Sequence, residues 1–181
     1  MSEHRVRVLY DEAAITARNR ELAREIRAHN PVSLLVVAIL KGSFMFAADL
    51  MRDLHREGLS PQVEFMHLSS YRAATVSSGQ VAILRDVESE VRGRDVLLID
   101  DILESGRTLA FAKDLLAARG ANRVLTCCLL EKPGKRAVSI NPDFVGFVCP
   151  DLFVVGYGMD VAHSFRELPF IGVVETTEGG A

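Results

Sequence analysis

The sequence predicts an α/β fold with a mostly parallel sheet and helices on both faces. Three strongly apolar runs, at 33–40, 96–99 and 124–130, do not alternate with polar residues, which is typical of strands buried on both faces of a parallel sheet. Segments with helical spacing of apolar residues, at 44–56 and 108–119, follow the first two runs. Because ligands bind beyond the carboxyl ends of such strands, the residues that follow each run are the candidate functional residues.

The first predicted helix covers residues 11–29. Asp11 is suited to cap its N-terminus. Apolar side chains recur on one face, as expected of a helix that packs against a sheet; these are Ile15, Leu22 and Ile26. The following apolar strand ends in Lys41-Gly42. Lys41 is either an ordinary surface charge or an anion contact, with Gly42 allowing close approach of the backbone.

Residues 63–69 form the next predicted strand, and 70–80 are small, polar and without periodicity, which indicates a loop. A hairpin would join this strand to another over 81–84. A loop of this length in a compact domain is usually functional or disordered, and an exposed hairpin tip is the alternative.

The stretch 96–108 combines a buried strand, two carboxylates at its carboxyl end and a turn into a helix that Gly120 is placed to close. Carboxylates accept hydrogen bonds from hydroxyl groups, and a helix N-terminus binds anions. Together they describe a site for a phosphorylated sugar. The alternative is an ordinary strand-to-helix turn, which needs only one capping oxygen. The residues concerned are Asp100, Asp101, Glu104, Ser105, Gly106, Arg107 and Thr108.

This stretch resembles the phosphoribosyl diphosphate signature of the type I phosphoribosyltransferases. The resemblance implies that Asp100 and Asp101 bind the ribose hydroxyls and that the turn at 105–108 binds the 5′-phosphate. The chain departs from the family twice: the usual Glu-Asp pair is Asp100-Asp101, and the aspartate that acts as the base at N7 of a purine is Glu104. Both changes keep the charge and alter the reach by one methylene, so Glu104 is the implied catalytic base.

Further motifs resemble the purine branch, the hypoxanthine-guanine phosphoribosyltransferases, over residues 6–174, and imply a small hood above the site. Lys132 follows the third apolar strand, where it would otherwise be taken for a solvated turn lysine. The segment from Phe153 to Asp160 would otherwise suit plain core packing. The resemblance assigns pyrophosphate to Lys41, Gly42 and Arg166, a mobile lid to Ser70 and Tyr71, the purine to Lys132, Phe153 and Val154, and Mg²⁺ to Asp160 with Asp100 and Asp101.

Length and composition limit the remaining possibilities. The 181 residues suit a single phosphoribosyltransferase domain over residues 1–181. A net charge of −3 argues against nucleic acid or membrane partners, and neither a signal peptide nor a transmembrane segment is evident. Three cysteines without metal-ligand spacing indicate free buried thiols and a cytoplasmic protein. We expect a homo-oligomer, a dimer or tetramer.

The resemblance therefore implies a Mg²⁺-dependent enzyme that transfers the 5-phosphoribosyl group from phosphoribosyl diphosphate to N9 of hypoxanthine or guanine. The products would be IMP or GMP and pyrophosphate. One alternative is an RNA-binding regulator of the same fold, whose motif also begins with Asp-Asp. The other is a phosphoribosyltransferase for xanthine or a pyrimidine base.

Overall fold

The structure, a computed structural model, describes residues 4–70 and 80–176. Strands and helices alternate along most of the chain, as the apolar pattern predicts. In chain order they are β1 (His4–Tyr10), α1 (Glu12–Ala28), β2 (Leu35–Leu40), α2 (Phe44–Arg56), β3 (Gln62–Ser70), β4 (Val81–Arg85), β5 (Asp95–Leu103), α3 (Arg107–Ala118), β6 (Arg123–Glu131), β7 (Phe144–Val148), β8 (Val154–Val155) and β9 (Ile171–Thr176).

The main sheet has the strand order β4-β3-β2-β5-β6-β7. All its neighbours are parallel except β4, which pairs antiparallel with β3. Helices α1 and α2 pack on one face and α3 packs on the other. In β5, Leu97 and Ile99 point to the first face, and Val96 and Leu98 point to the second. Burial on both faces explains the uninterrupted apolar run and confirms the predicted fold class.

The predicted helix starts agree with the structure. The Asp11 carboxylate accepts a hydrogen bond of 2.8 Å from the Ala14 N–H and caps α1. The predicted end of the central strand at residue 99 is wrong, because β5 continues to Leu103. Strand β6 supplies parallel partners along this extension, pairing Asp100 with Cys128. The acidic pair therefore lies within the strand rather than after it.

A second, three-stranded sheet with the order β1-β9-β8 forms the expected hood. Strand β1 pairs antiparallel with β9, so the hood joins the two ends of the described chain. Cys127, Cys128 and Cys149 are buried free thiols, as predicted. Within residues 4–70 and 80–176, no helix combines the length and the apolar character needed to cross a membrane.

Candidate active site

Two adjoining cavities open at the carboxyl edge of the main sheet, where ligands bind in open α/β folds. We name the two cavities after the ligands that the sequence predicts for them. The sugar-phosphate cavity has a volume of about 610 Å³ and is lined by the turn from β5 to α3 and by the end of β2. The base cavity has a volume of about 570 Å³ and is lined by the end of β6 and by the hood. Six of the described residues line both cavities; these are Lys41, Gly42, Asp101, Ile102, Glu104 and Lys135.

The turn from β5 to α3 has the geometry of an anion site. Gly106 is the N-cap of α3 with φ of 80°, and no side chain caps the helix. A side chain at Gly106 would meet Ile140 at 2.6 Å, so both the conformation and the space require glycine. The Ser105 hydroxyl accepts a bond of 3.3 Å from the Arg107 N–H. Residues 105–108 all line the sugar-phosphate cavity, so a phosphate bound there would lie beside the N-terminus of α3.

The acidic pair lies at the floor of the site, where Asp100 is buried and Asp101 is partly buried. Asp100 is buried, and its Oδ1 accepts a hydrogen bond of 3.0 Å from the Asp101 N–H. Burial, with the adjacent Asp101 carboxylate, raises the pKa of Asp100 well above its usual range. Burial also raises the pKa of Asp101, against the opposing effect of the Arg166 guanidinium. Two carboxylates that are costly to ionise together favour ligands that bring hydroxyl donors or a cation.

The Lys41-Gly42 turn packs directly against this pair. The peptide bond between Leu40 and Lys41 is cis. A Cβ built on Gly42 would overlap the Asp101 carboxylate, so only glycine admits that side chain. On the hood side, Gly158 has φ of 101°, and a Cβ built on it would lie 2.4 Å from the Gly42 carbonyl oxygen. The turn is therefore held between the sheet and the hood.

The base cavity combines a buried cation with an exposed ring. Lys132 is only 7% exposed, and its Nζ donates a bond of 2.7 Å to the Leu152 carbonyl. Lys132 lies at this edge because β6 ends at Glu131, on the same edge of the sheet as Lys41. Phe153 is 60% exposed and lines the cavity, while Val154 is buried in β8. An exposed aromatic face beside a buried ammonium suits a planar heterocycle with an oxo group.

Asp160 and Arg166 form an ion pair on the hood side of the base cavity. Arg166 Nη2 lies 2.9 Å from Asp160 Oδ1, and its Nη1 donates a bond of 2.6 Å to the Gly158 carbonyl. Asp160 Oδ2 accepts a bond of 2.8 Å from the His163 N–H. Each Asp160 oxygen thus has one protein partner, and each retains a further lone pair for a ligand.

Glu104 lies at the boundary between the two cavities. Its carboxylate is 40% exposed, and Oε1 lies 3.5 Å from the Lys135 ammonium. Its backbone carbonyl accepts a bond of 2.9 Å from Arg136 Nη1. Because Glu104 lines both cavities, a sugar bound in one cavity and a base bound in the other would both lie near its carboxylate.

The donor set fits Mg²⁺ in the way that this ion usually binds. The described residues contain no group of three acidic, His or Cys side chains that could hold a metal by itself. Mg²⁺ commonly takes one or two carboxylates and fills its shell with phosphates and water. Asp101 and Asp160, from the sheet and the hood, both line the base cavity and could supply those carboxylates.

Sequence reasoning missed several residues that shape this site. Arg136 Nη2 lies 2.6 Å from Glu131 Oε1, and the same guanidinium binds the Glu104 carbonyl. Lys135 lines both cavities, and its Nζ contacts Asp151 Oδ1 at 2.8 Å. Their position just after β6, at the edge of the sheet where ligands bind, could have identified these basic residues. In the sequence, however, two charges in a turn have the pattern of solvent-exposed residues. The lid residue Tyr71 lies outside the described residues, and Ser70 ends β3.

A hydrogen-bonded tyrosine attaches the hood to both helices below it. The Tyr157 hydroxyl donates a bond of 2.6 Å to Asp49 Oδ2 on α2 and accepts one of 3.0 Å from Asn19 Nδ2 on α1. Tyr157 directly precedes Gly158, which contacts the Lys41-Gly42 turn. Burial, followed by the bond to Asp49, raises the pKa of Tyr157, so the hydroxyl remains a donor at neutral pH.

Replacing Tyr157 by phenylalanine should lower the free energy of unfolding by about 1–3 kcal/mol, because a bond to a carboxylate is lost and the buried Asn19 amide loses its acceptor. The thermal midpoint should fall by about 3–10 °C, measured by calorimetry. Tyr10→Phe is the matched control, because the Tyr10 hydroxyl bonds at 3.2 Å near the surface. Equal midpoints for the two variants would contradict this attachment.

Comparison with known proteins agrees with this geometry. The phosphoribosyl transferase domain family matches residues 6–162. The chain is 42% identical over 175 residues to the hypoxanthine phosphoribosyltransferase of Escherichia coli (strain K12), covering 95% of this chain and 97% of that protein. Identity to the Buchnera aphidicola protein of the same name is 40%, with the same coverage. A Staphylococcus aureus hypoxanthine phosphoribosyltransferase structure superposes with a TM-score of 0.87 at 39% identity, covering 93% of this chain and 91% of that chain.

The family match extends from the hood strand β1 through the turn at 105–108 to Asp160, and it includes every described residue that lines the two cavities except Arg166. Identity above 40% over nearly the whole of both chains leaves no large insertion or missing segment between them. This chain belongs to the hypoxanthine phosphoribosyltransferases, within the phosphoribosyl transferase family.

Proposed function

We propose that the protein transfers the 5-phosphoribosyl group of phosphoribosyl diphosphate to N9 of hypoxanthine or guanine, releasing IMP or GMP and pyrophosphate. The observation that carries the proposal is the meeting of two differently built cavities at Glu104. One cavity offers an anion-binding helix start beside two carboxylates, and the other offers a buried ammonium beside an exposed ring. A sugar phosphate and an oxopurine fit these two chemistries.

In the sugar-phosphate cavity, the amides at 105–108 would bind the 5′-phosphate, with the Ser105 and Thr108 hydroxyls as further donors. Asp100 and Asp101 would accept hydrogen bonds from the ribose hydroxyls. The raised pKa values of this pair are consistent with a pocket that gains from such donors. The sugar is then held at both ends, which fixes C1′ near the base cavity.

In the base cavity, Phe153 would stack on the purine, and the backbone near Val154 would face the base edge. Lys132 offers only hydrogen-bond donors, so it can bind a 6-oxo group but cannot accept from a 6-amino group. Its ammonium is fixed by the Leu152 carbonyl, which restricts it to one direction. This fixed donor would select hypoxanthine or guanine over adenine.

Between the cavities, Lys41, Gly42 and Arg166 would bind the pyrophosphate. Charge grows on this leaving group as the C1′–O bond breaks, and a cation matched to it lowers the barrier. Asp101 and Asp160 would hold Mg²⁺, and the adjacent Asp100 carboxylate would add negative charge beside the ion. When bound, the ion would supply positive charge to the diphosphate oxygens. Glu104 would accept the proton from N7 as N9 attacks C1′.

We also propose that residues 1–181 act as one domain, because the hood lines one side of the base cavity and the main sheet forms its floor. A homo-oligomer would cover apolar side chains that are exposed on β3, such as Val63 and Phe65. Three buried free thiols suit a reducing cytoplasm.

A spectrophotometric assay with phosphoribosyl diphosphate, Mg²⁺ and a panel of bases tests the proposal. We expect turnover with hypoxanthine and guanine, negligible turnover with adenine, and loss of both activities in chelator. Xanthine and uracil belong in the panel, because faster turnover with either would favour another phosphoribosyltransferase. Equal rates with adenine, or full activity in chelator, would contradict the assignment of Lys132 or of Mg²⁺ respectively.

The RNA-binding regulator is the weaker reading, because the net charge is −3 and the base cavity is built for a small ligand. Regulators that bind RNA neutralise phosphates, so their affinity falls steeply with salt. A specific RNA complex that survives physiological salt would favour that reading.

A further inference from the structure

We propose that Lys135 is a positioning residue that holds the Glu104 carboxylate at the boundary between the two cavities, an inference that rests on the proposed function. Lys135 Nζ lies 3.5 Å from Glu104 Oε1 and 2.8 Å from Asp151 Oδ1. All three side chains line the base cavity. The ammonium therefore bridges the turn after β5 and the opposite wall.

Glu104 needs such an anchor more than an aspartate would. Its carboxylate stands one methylene further from the backbone than the family's aspartate, which adds a rotatable bond. A torsion between tetrahedral carbons has three staggered wells, so an unanchored glutamate divides its population among them. With 40% of the side chain exposed, packing alone does not select one well. Losing the anchor would reduce the productive population about threefold.

Lys135 can act as an anchor because its backbone is fixed relative to Glu104. The Ala137 and Val138 N–H groups donate to the Ser105 carbonyl at 2.8 and 3.3 Å. Arg136 Nη1 donates to the Glu104 carbonyl at 2.9 Å. Exposed ion pairs are usually weak because two long side chains must be ordered on independent segments. Here the segments are already joined, and Asp151 orders the ammonium from its other side.

The Lys135 ammonium has two opposing effects on catalysis by Glu104, since it positions the carboxylate but also lowers its basicity, and these effects can be separated by experiment. A positive charge beside a carboxylate makes it a weaker base, which by itself would slow proton transfer. If basicity dominated, removing the Lys135 charge would raise kcat. If positioning dominates, removing it lowers kcat, and a charge placed on the same side chain restores it.

The experiment compares Lys135→Gln and Lys135→Arg with the wild type in the presence of Mg²⁺ and saturating substrates. We expect kcat to fall about two- to fivefold in Lys135→Gln and to recover in Lys135→Arg, with KM for the base within about twofold. Lys113→Gln removes the same charge from helix α3, away from both cavities, and should leave kcat unchanged. A rise in kcat, or an unchanged kcat, in Lys135→Gln would overturn the inference.

A double-mutant cycle then asks whether Lys135 acts through Glu104. In the Glu104→Gln background, adding Lys135→Gln should cause no further fall in kcat, because no carboxylate remains to be held. A fall of the same size as in the wild type would overturn the role. Absence of transfer to any base by the wild type would instead overturn the proposed function, so the two failures are distinguishable.

Discussion

Replacing Gly42 by alanine is expected to lower kcat/KM for phosphoribosyl diphosphate by about 10²-fold or more, the cost of displacing a reactive group by about 1 Å. The Cβ would overlap Asp101 Oδ2, so either the carboxylate or the Lys41-Gly42 turn must move. Movement of the turn is opposed by Gly158, whose backbone contacts the Gly42 carbonyl from the hood. One methyl group would therefore disturb both the proposed ribose contact of Asp101 and the proposed pyrophosphate contact of the Lys41-Gly42 turn.

Gly58→Ala is the matched control for this substitution. Gly58 follows α2 with φ of 82°, and among residues 4–70 and 80–176 no atom lies within 4 Å of a Cβ built there. Its replacement should cost about 1–2 kcal/mol of stability through backbone strain and leave kcat/KM near the wild-type value. Steady-state kinetics on both variants, with calorimetry to confirm folding, provide the comparison. A wild-type kcat/KM in Gly42→Ala would show that Asp101 can be displaced without consequence and would remove it from the substrate site.

The centre of the main sheet was predictable because strands β2, β5 and β6 are buried on both faces and therefore appear in the sequence as continuous apolar runs. The hood was predictable only as an expectation from the family resemblance, and its strands β1 and β9 were not identified. Strand β1 alternates charged and apolar residues, as in Arg5-Val6-Arg7-Val8, and is short and at an edge. Its partner lies at the other end of the chain, pairing Val6 with Val174. Patterns within a short stretch of sequence do not predict that two strands so far apart in the chain pair with each other.

The candidate site was predictable where a residue follows a buried strand, as Lys41 and Lys132 do. Parallel strands bring such residues to one edge without any knowledge of the turns. Lys135 and Arg136 were not identified, because two basic residues in a turn have the same pattern whether they are solvated or bonded to a neighbouring loop. Tyr157 resembled a core aromatic, and its hydroxyl partners come from two helices far away in the chain.

Replacing Glu104 by glutamine is expected to lower kcat by about 10²–10⁴-fold, the usual contribution of acid–base assistance. Glutamine keeps the size of the side chain and removes the base. As N9 attacks C1′, positive charge spreads over the imidazole ring and the N7 proton becomes more acidic. A carboxylate at the boundary of the two cavities can accept that proton, whereas an amide cannot.

The structure supports this role by position. Glu104 lines both cavities, and its neighbour Ser105 belongs to the turn that is proposed to bind the phosphate. A carboxylate pointing at the phosphate would be repelled, so the base side is the favourable direction. Lys135, which lies 3.5 Å from the Glu104 carboxylate, also contacts Asp151, and Asp151 lines the base cavity but not the sugar-phosphate cavity, consistent with that direction.

An alternative role would be electrostatic support of helix α3, since an acid near a helix N-terminus is commonly stabilising by about 0.3–1 kcal/mol. In that case Glu104→Gln would lower the thermal midpoint by about 1–4 °C and hardly change kcat. The two roles therefore affect different measurements, and both can be made on one preparation. Wild-type kcat in Glu104→Gln would remove Glu104 from the reaction.

Glu104→Asp separates the charge from the reach and completes the test. It restores the residue usual in the family and retains the base, so it should keep much more activity than Glu104→Gln. Its carboxylate stands one methylene further from the Lys135 ammonium, so Lys135→Gln should have a smaller effect in this background than in the wild type. If Glu104→Asp were as inactive as Glu104→Gln, the site would depend on the exact length of this side chain. The hydrogen bonds from the Arg136 guanidinium to the Leu103 and Glu104 carbonyls would then fix the turn too firmly for a shorter acid to reach N7.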